Sequence, residues 1–248
     1  ICEAVTRPTM RFVAVKNTEQ QSILMLHRTN ELLTRQRTML INAIRAHMAE
    51  FGIVAPTGVP QVKKLLRIIA DADDARLPSI ARSCLESLAR QFVSLHEEIG
   101  AAKQQIHAWH LSNEVSCRLE TIPGLGPISS SAMAASVSDP DVFKNGRELA
   151  AWIGLVPRQN STGGKQRLGK ISKQGDQYLR WLLVVGAMSV IRQAKRRGTS
   201  NMPWLDDIIA RKPAKVAAVA LANKNARIIW ALMKRGGTYQ KPATVPTA

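Results

Sequence analysis

"TEQQSILMLHRTNELLTRQRTMLINAIRAHMAE", residues 18–50, decides the fold class. Ile23, Leu26, Leu33, Leu40 and Ile44 recur on a three-and-four register, and Leu24, Ile41 and Met48 widen the stripe. That period is a helix with a coiled-coil-like seam about four heptads long. Asn30 and Arg37 interrupt the seam with polar side chains.

Outward from this helix, "GIVAPTGVPQ" (52–61) breaks the chain with Gly and Pro. A shorter helix over 62–76 and a second long one over 79–111 follow, the latter with Leu85, Leu88, Phe92, Leu95, Ile99 and Ile106 on the same register. Two long helices around a short hinge predict an antiparallel hairpin over 17–112, either a self-contained stalk or the interface of a homo-oligomer. Upstream, residues 1–7 read as a helix stopped before Pro8, and "RFVAV" (11–15) as a short strand. The chain opens inside that helix without an initiator Met, which leads us to expect a fragment. Beyond 112, helices over 127–138, 146–153, 174–197, 203–211 and 213–235 predict a compact helical domain over 113–238, and 239–248 reads as a frayed tail. The expected fold class is mainly α: a long helical hairpin, then a compact helical domain.

The 248 residues are 45% hydrophobic, enough for a buried core. Against 18 acidic residues stand 35 Lys and Arg, a net charge of +17. Such an excess suits a chain that neutralises phosphates, so DNA or RNA is the expected partner. Aromatic residues make up only 4%, too few for the stacking platforms of single-strand binders, and favour a structured backbone as the ligand. Cys2, Cys84 and Cys117 form no CxxC spacing and read as buried thiols of a cytoplasmic protein. No apolar run approaches the ~18 residues of a membrane span.

Two stretches carry chemistry. "LETIPGLGPISSSAMAAS" (119–136) sets Gly124 and Gly126 before a helix that begins near Pro127. Its amides there can face a phosphate, as in a helix-hairpin-helix clamp, and an ordinary helix-turn-helix connection is the plainer alternative. From Lys144 to Arg197 stand twelve Lys or Arg against Glu148 and Asp176, a local charge of +10. Within it, "GLVPRQNSTGGKQRLGKISKQGD" (154–176) interleaves Arg158, Lys165, Arg167, Lys170 and Lys173 with Gly163, Gly164, Gly169 and Gly175, and Arg180 follows. Such a segment reads as a phosphate-binding loop. Ser161 and Thr162 are its hydroxyls ahead of Ser172. An activated serine can attack phosphorus, and Arg158, Lys165 and Arg167 can stabilise the developing charge. The loop itself contains no His, and it offers no carboxylate cluster for a metal.

The block "TIPGLGP…FKNGRELAAWIGLVPRQNSTGGKQRLGKISKQGDQYLRWLLVVGA", with "RTNELLTRQRTMLINAIRAHMAEFGI", closely resembles the DEDD-type insertion-sequence transposases. The likeness is to insertion-sequence family one-ten, its eleven-eleven branch, relatives of the Piv-type invertases and of RNA-guided bridge recombinases. It covers essentially the whole chain. It implies a RuvC-like domain with four acidic residues that bind Mg²⁺, a helical stalk, and a C-terminal domain whose serine joins covalently to DNA, directed by a structured guide RNA. Carried over, the nucleophile is Ser161, with Thr162 the runner-up. Gly163 and Gly164 give the strand room, and Arg158, Lys165, Arg167 and Lys173 hold flanking phosphates. The acidic quartet of the family falls upstream of Ile1, and Glu3 matches none of its positions. Residues 1–16 are therefore expected to be the remnant of the RuvC-like domain, the Mg²⁺ ligands to be absent, and the chain to be a truncated copy.

Overall fold

A computed structural model describes residues 15–165, 167–198 and 202–240, together with Glu3 and Thr6. Residues 11–14 of the strand expected over 11–15, nearly all of the opening helix and most of the tail lie outside the described residues; Val15 is described, exposed and not in a strand. Nine α-helices and one two-stranded hairpin are present among the described residues, so the mainly α expectation holds. The helices are α1 (Thr18–Glu50), α2 (Val59–Ala70), α3 (Ser79–Ser112), α4 (Glu114–Glu120), α5 (Pro127–Ser136), α6 (Gly146–Trp152), α7 (Gln177–Arg197), α8 (Pro203–Arg211) and α9 (Ala214–Arg235). The strands are β1 (Pro157–Gln159) and β2 (Leu168–Ile171). The chain divides into two compact units, one of Met25–Gln105 and one of Ile1–Leu24 with Ile106–Ala248.

In the unit of Met25–Gln105, Ile44 and Met48 of α1 meet Val62, Leu65 and Ile69 of α2 and Leu85 and Phe92 of α3 in one core. Further along, Arg37 of α1 stands 3.4 Å from His96 Nδ1 of α3. Rising numbers on α1 thus meet falling numbers on α3, an antiparallel pair. Helix α2 ends at Ala70, six residues before the expected 76. The acidic run that follows explains this. Asp71 Oδ1 accepts from Asp73 N at 3.1 Å and Asp74 Oδ1 from Arg76 N at 3.1 Å, local bonds that compete with the helical ladder. Arg82 of α3 then donates to the carbonyls of Ile68 (3.2 Å) and Ile69 (2.9 Å) in the last turn of the helix and to that of Asp74 (2.6 Å) in the loop beyond it, fixing the chain where it leaves the helix. Cys84 is exposed, on the outward side of α3 beside the buried Leu85, and Cys117 is half-buried; neither is the fully buried thiol expected.

The buried stripe of α1 includes His27, which is 0% exposed, and Asn30. Burial pushes the His27 pKa down from 6.5 to about 4. The fold therefore holds the neutral imidazole, while the unfolded chain takes up a proton below its ordinary pKa. The stability that this histidine permits is complete above pH 6.5 and is lost as pH falls toward 4. We expect unfolding free energy to drop by about 2 kcal/mol between pH 7 and pH 5, and His27→Leu to flatten that dependence. Urea titrations of both proteins at the two pH values measure it, and equal slopes would reject the assignment.

The second unit is built around α9, which packs against α7, α6, α8 and α4. Leu119, Ile122, Met133, Leu149, Ile153, Leu183, Leu221 and Ile229 are among its buried core residues. Helix α5 contributes only small or slender side chains, with Ser129–Ser136 buried throughout. At the end of α3, His110 is buried with Nδ1 2.7 Å from Ser116 Oγ and Nε2 2.9 Å from Glu120 Oε2, which ties α3 to α4. Helix α4 is a separate element that apolar periodicity alone does not mark. Asn113 starts it, its side chain accepting from Ser116 N at 2.8 Å. Of the tail, Tyr239 is tied down: its N–H donates to Thr121 Oγ1 at 2.9 Å.

Candidate nucleic-acid interface

The basic segment is an exposed antiparallel β-hairpin rather than an irregular loop. Pro157 pairs with Ile171 and Gln159 with Leu168, so β2 carries one extra residue. Beyond the strands, Asn160 N donates to Arg167 O at 2.8 Å, and Thr162 bridges Lys165. Gly163 (φ 55°) and Gly164 (φ 76°) form the tip. A two-residue hairpin turn of this hand needs positive φ at both positions, and glycine supplies it without strain. The two glycines that were expected to make room for a strand thus first make the turn. Space is left as well, since a Cβ at either would meet nothing within 4 Å.

Ser161 stands just below the tip, exposed, and its Oγ accepts from Arg167 N at 3.1 Å. That bond holds the oxygen beside the arginine's main chain. Thr162 is exposed at the bridge position next to it. Arg158, Lys165, Arg167, Lys170 and Lys173 are all exposed. Among the described residues none of them pairs with a carboxylate. Arg158 donates to Ser172 O at 3.3 Å across the ladder, which orients the arginine along the hairpin.

At the hairpin root the chain crosses itself closely. A Cβ at Gly154 (φ 81°) would lie 1.9 Å from Gln174 O, and one at Gly175 (φ 82°) 1.8 Å from Trp152 O. Lys173 adopts φ 57°, and its N–H donates to Gly154 O at 3.1 Å. Arg180, expected to hold phosphate, turns its Nη1 inward to Ile153 O (2.8 Å) and Gln174 O (3.0 Å) and fastens the root to α6. We expect Gly175→Ala to destabilise the protein by about 2–3 kcal/mol and to open the hairpin to proteolysis. Gly164→Ala, with free space around it, loses only about 1 kcal/mol to its backbone conformation. Thermal melts and limited proteolysis of both variants read this contrast, and similar losses in the two would refute it.

Gly124 and Gly126 lie apart from the hairpin. Gly124 (φ 91°) abuts Gly186 of α7, where a Cβ would stand 2.9 Å from Gly186 O. Gly186 is nine residues after the start of α7, about 13 Å up the helix from the root. The turn does join two helices, α4 and α5, yet Ser129 and Ser130 at the start of α5 are buried. Gly124 thus has a packing role that the sequence did not reveal. A further feature emerges beside the root: Tyr178 and Trp181 stack with centroids 6.1 Å apart, and Trp181 is 54% exposed. A tryptophan at an outward α7 position was the signal.

The family model described as "Transposase IS116/IS110/IS902 family" matches residues 116–201, from α4 through the hairpin and α7. The "Probable family 20 transposase" of Pseudomonas aeruginosa is 45% identical over 97% of this chain and 71% of its own length. This chain belongs to the IS116/IS110/IS902 transposase family. Two further family members agree. The "Transposase for insertion sequence element IS1111A" of Coxiella burnetii is 38% identical, covering 97% of this chain and 66% of its own length. The "Transposase for insertion sequence element IS1328" of Yersinia enterocolitica is 36% identical, with 97% and 71% covered. The chain thus spans about two thirds of the length of these transposases. Within the family's matched segment lie both glycines of the α4–α5 turn and every hairpin residue singled out from the sequence.

Proposed function

We propose that the chain acts in DNA transposition as a recombinase of an insertion sequence, with Ser161 as the strand-joining nucleophile. The observation that carries this is the Ser161 hydroxyl, exposed and hydrogen-bonded to Arg167 N, on a hairpin whose cations pair with no carboxylate among the described residues. In the cleavage step Ser161 Oγ gives up its proton and bonds to phosphorus. The bridging P–O bond to the departing strand breaks, and that oxygen leaves with a proton. A hydroxyl of the incoming strand then reverses the reaction and frees Ser161. Arg158, Lys165 and Arg167 lie against the phosphoryl oxygens as charge builds, and Lys170 and Lys173 hold neighbouring phosphates.

Mg²⁺ belongs to the proposal through the family resemblance and would supply Lewis-acid activation when bound. The hairpin does not fit it. Among the described residues no three His, Cys, Asp or Glu side chains stand together as a metal site, so we route no step through the ion. The resemblance extends the reading to a guide RNA and to self-association through α1 and α3. A non-catalytic DNA- or RNA-binding role is the alternative, favoured by the absence of a general base among the described hairpin residues. Incubation with element-junction DNA and Mg²⁺, followed by a denaturing gel, separates the two. A protein–DNA adduct that resists denaturation and disappears on proteolysis supports the recombinase; salt-sensitive binding with no adduct supports the alternative.

A further inference from the structure

Of the five tryptophans in the chain, four are held by partners within the fold. The indole N–H of Trp109 donates to Glu19 Oε1 at 2.7 Å and that of Trp230 to Pro140 O at 3.1 Å. Trp152 meets Phe143 edge-on with centroids 5.6 Å apart, and Lys224 Nζ stands 4.2 Å from the Trp204 ring centroid. Trp181 differs. It is 54% exposed, it stacks on the half-buried Tyr178 at 6.1 Å with 24° between the planes, and its indole N–H makes no hydrogen bond among the described residues.

Trp181 begins a line of exposed residues along α7. At about 3.6 residues per turn, Trp181, Val185, Ser189, Arg192 and Arg196 fall within an arc of about 80°, opposite the buried Leu179, Leu183, Ala187 and Ala194. The apolar end of this line lies at the hairpin root, since Arg180, the residue before Trp181, donates to Ile153 O and Gln174 O. Its basic end lies about 22 Å further along the helix. Neither Arg192 nor Arg196 pairs with a carboxylate among the described residues, and Asp176, the acid at the start of α7, is turned to Leu179 N at 3.0 Å. An indole between the hairpin cations on one side and two arginines on the other suits a ligand that joins a flat ring to phosphates. Nucleic acid is such a ligand, because every base has a π face and every linkage a negative charge. Trp181 and Val185 alone make an apolar patch far smaller than a stable protein–protein contact. Tyr178 steadies the indole, so little side-chain freedom is lost when a base stacks on it. Bases inside an intact duplex cover one another's faces, so the base that Trp181 takes is an unpaired one. One platform serves one such base, in keeping with the low aromatic content of the chain.

We infer that Trp181, backed by Tyr178, is the stacking platform for one unpaired base of the DNA that the hairpin cations hold, with Arg192 and Arg196 against phosphates further along. This rests on the DNA-binding part of the proposed function and adds to it a preference for locally opened DNA. The test uses the full chain and two duplexes, one fully paired and one with a single bulged 2-aminopurine, a fluorescent base whose emission falls when it stacks. Wild type is expected to bind the bulged duplex more tightly and to quench its emission. Trp181→Ala should lose the quench and about tenfold in affinity for the bulged duplex. Its affinity for the paired duplex should stay within about twofold and its log–log salt slope unchanged, because no charge is removed. Trp181→Phe, which keeps a ring, should restore most of both signals. Equal binding of the two duplexes by wild type without quenching, or an equal loss on both in Trp181→Ala, would overturn the platform while leaving the hairpin reading intact. A flat salt response of wild type on both duplexes would instead sink the DNA-binding reading itself. Sedimentation without DNA covers the remaining occupant: an oligomer that Trp181→Ala dissociates, with the preference for the bulge unaltered, assigns the indole to a second copy of the chain and overturns the base site.

Discussion

Gly186→Ala should lower the melting temperature by about 10 °C, the signature of a loss of about 3 kcal/mol or more. Its Cβ would stand 1.9 Å from Gly124 O, where the atom it meets is main chain and has no rotamer to change. Relief requires α7 and the α4–α5 turn to part by more than an ångström. Leu125, Met133, Leu183 and Ala187 belong to the same buried cluster, so the parting loosens packing well beyond the two glycines. Gly124→Ala acts on the same approach from the other side. Its Cβ would lie 2.9 Å from Gly186 O with φ at 91°, and we expect about 2 kcal/mol. Calorimetry or circular dichroism melts decide the matter; a Gly186→Ala protein melting within 2 °C of the parent would show that this close approach does not constrain the fold.

Ser161→Ala should abolish the protein–DNA adduct while leaving duplex affinity within about threefold. The substitution removes the oxygen that bonds to phosphorus and the acceptor of the Arg167 N–H, at an exposed position where that amide can turn to water. No cation is lost, so the electrostatic part of binding stays. Thr162→Ala, one residue nearer the tip, should keep the adduct. The opposite pattern would transfer the nucleophile to Thr162, and an adduct that survives both changes would remove the hairpin hydroxyls from the chemistry. Because affinity and adduct are read separately, a folding defect would be visible as loss of both.

The long helices are legible because their information is local. Apolar spacing and the Gly and Pro breaks around 52–61 and 78 mark α1 and α3 to within a residue of their ends. The α2 end is not legible, because the Asx bonds of Asp71 and Asp74 and the reach of Arg82 from α3 decide it, and the last spans eight to fourteen residues. The hairpin is legible in composition but not in form. Strands of three and four residues, exposed on both faces, show no alternation for a period of two to reveal. Its candidate residues are nevertheless in view: Ser161, Gly163, Gly164, Lys165 and Arg167 share one short stretch of sequence and stand together in the fold. Gly124 teaches the reverse lesson. A glycine in sequence announces that something comes close, without saying whether it is a ligand or, as here, the main chain of Gly186.

The two-glycine hairpin end has a consequence of size. Bare of Cβ atoms, the end of this ribbon is about as slim as paired polypeptide permits, with its two arms about 4.8 Å apart. A duplex major groove is about 12 Å wide and admits a two-stranded ribbon, so an end of this width is narrow enough to fit one. The first substantial side chains behind the tip are those of Thr162 and Lys165, paired across the ribbon, and they are where a surface meeting this end would first encounter more than main chain.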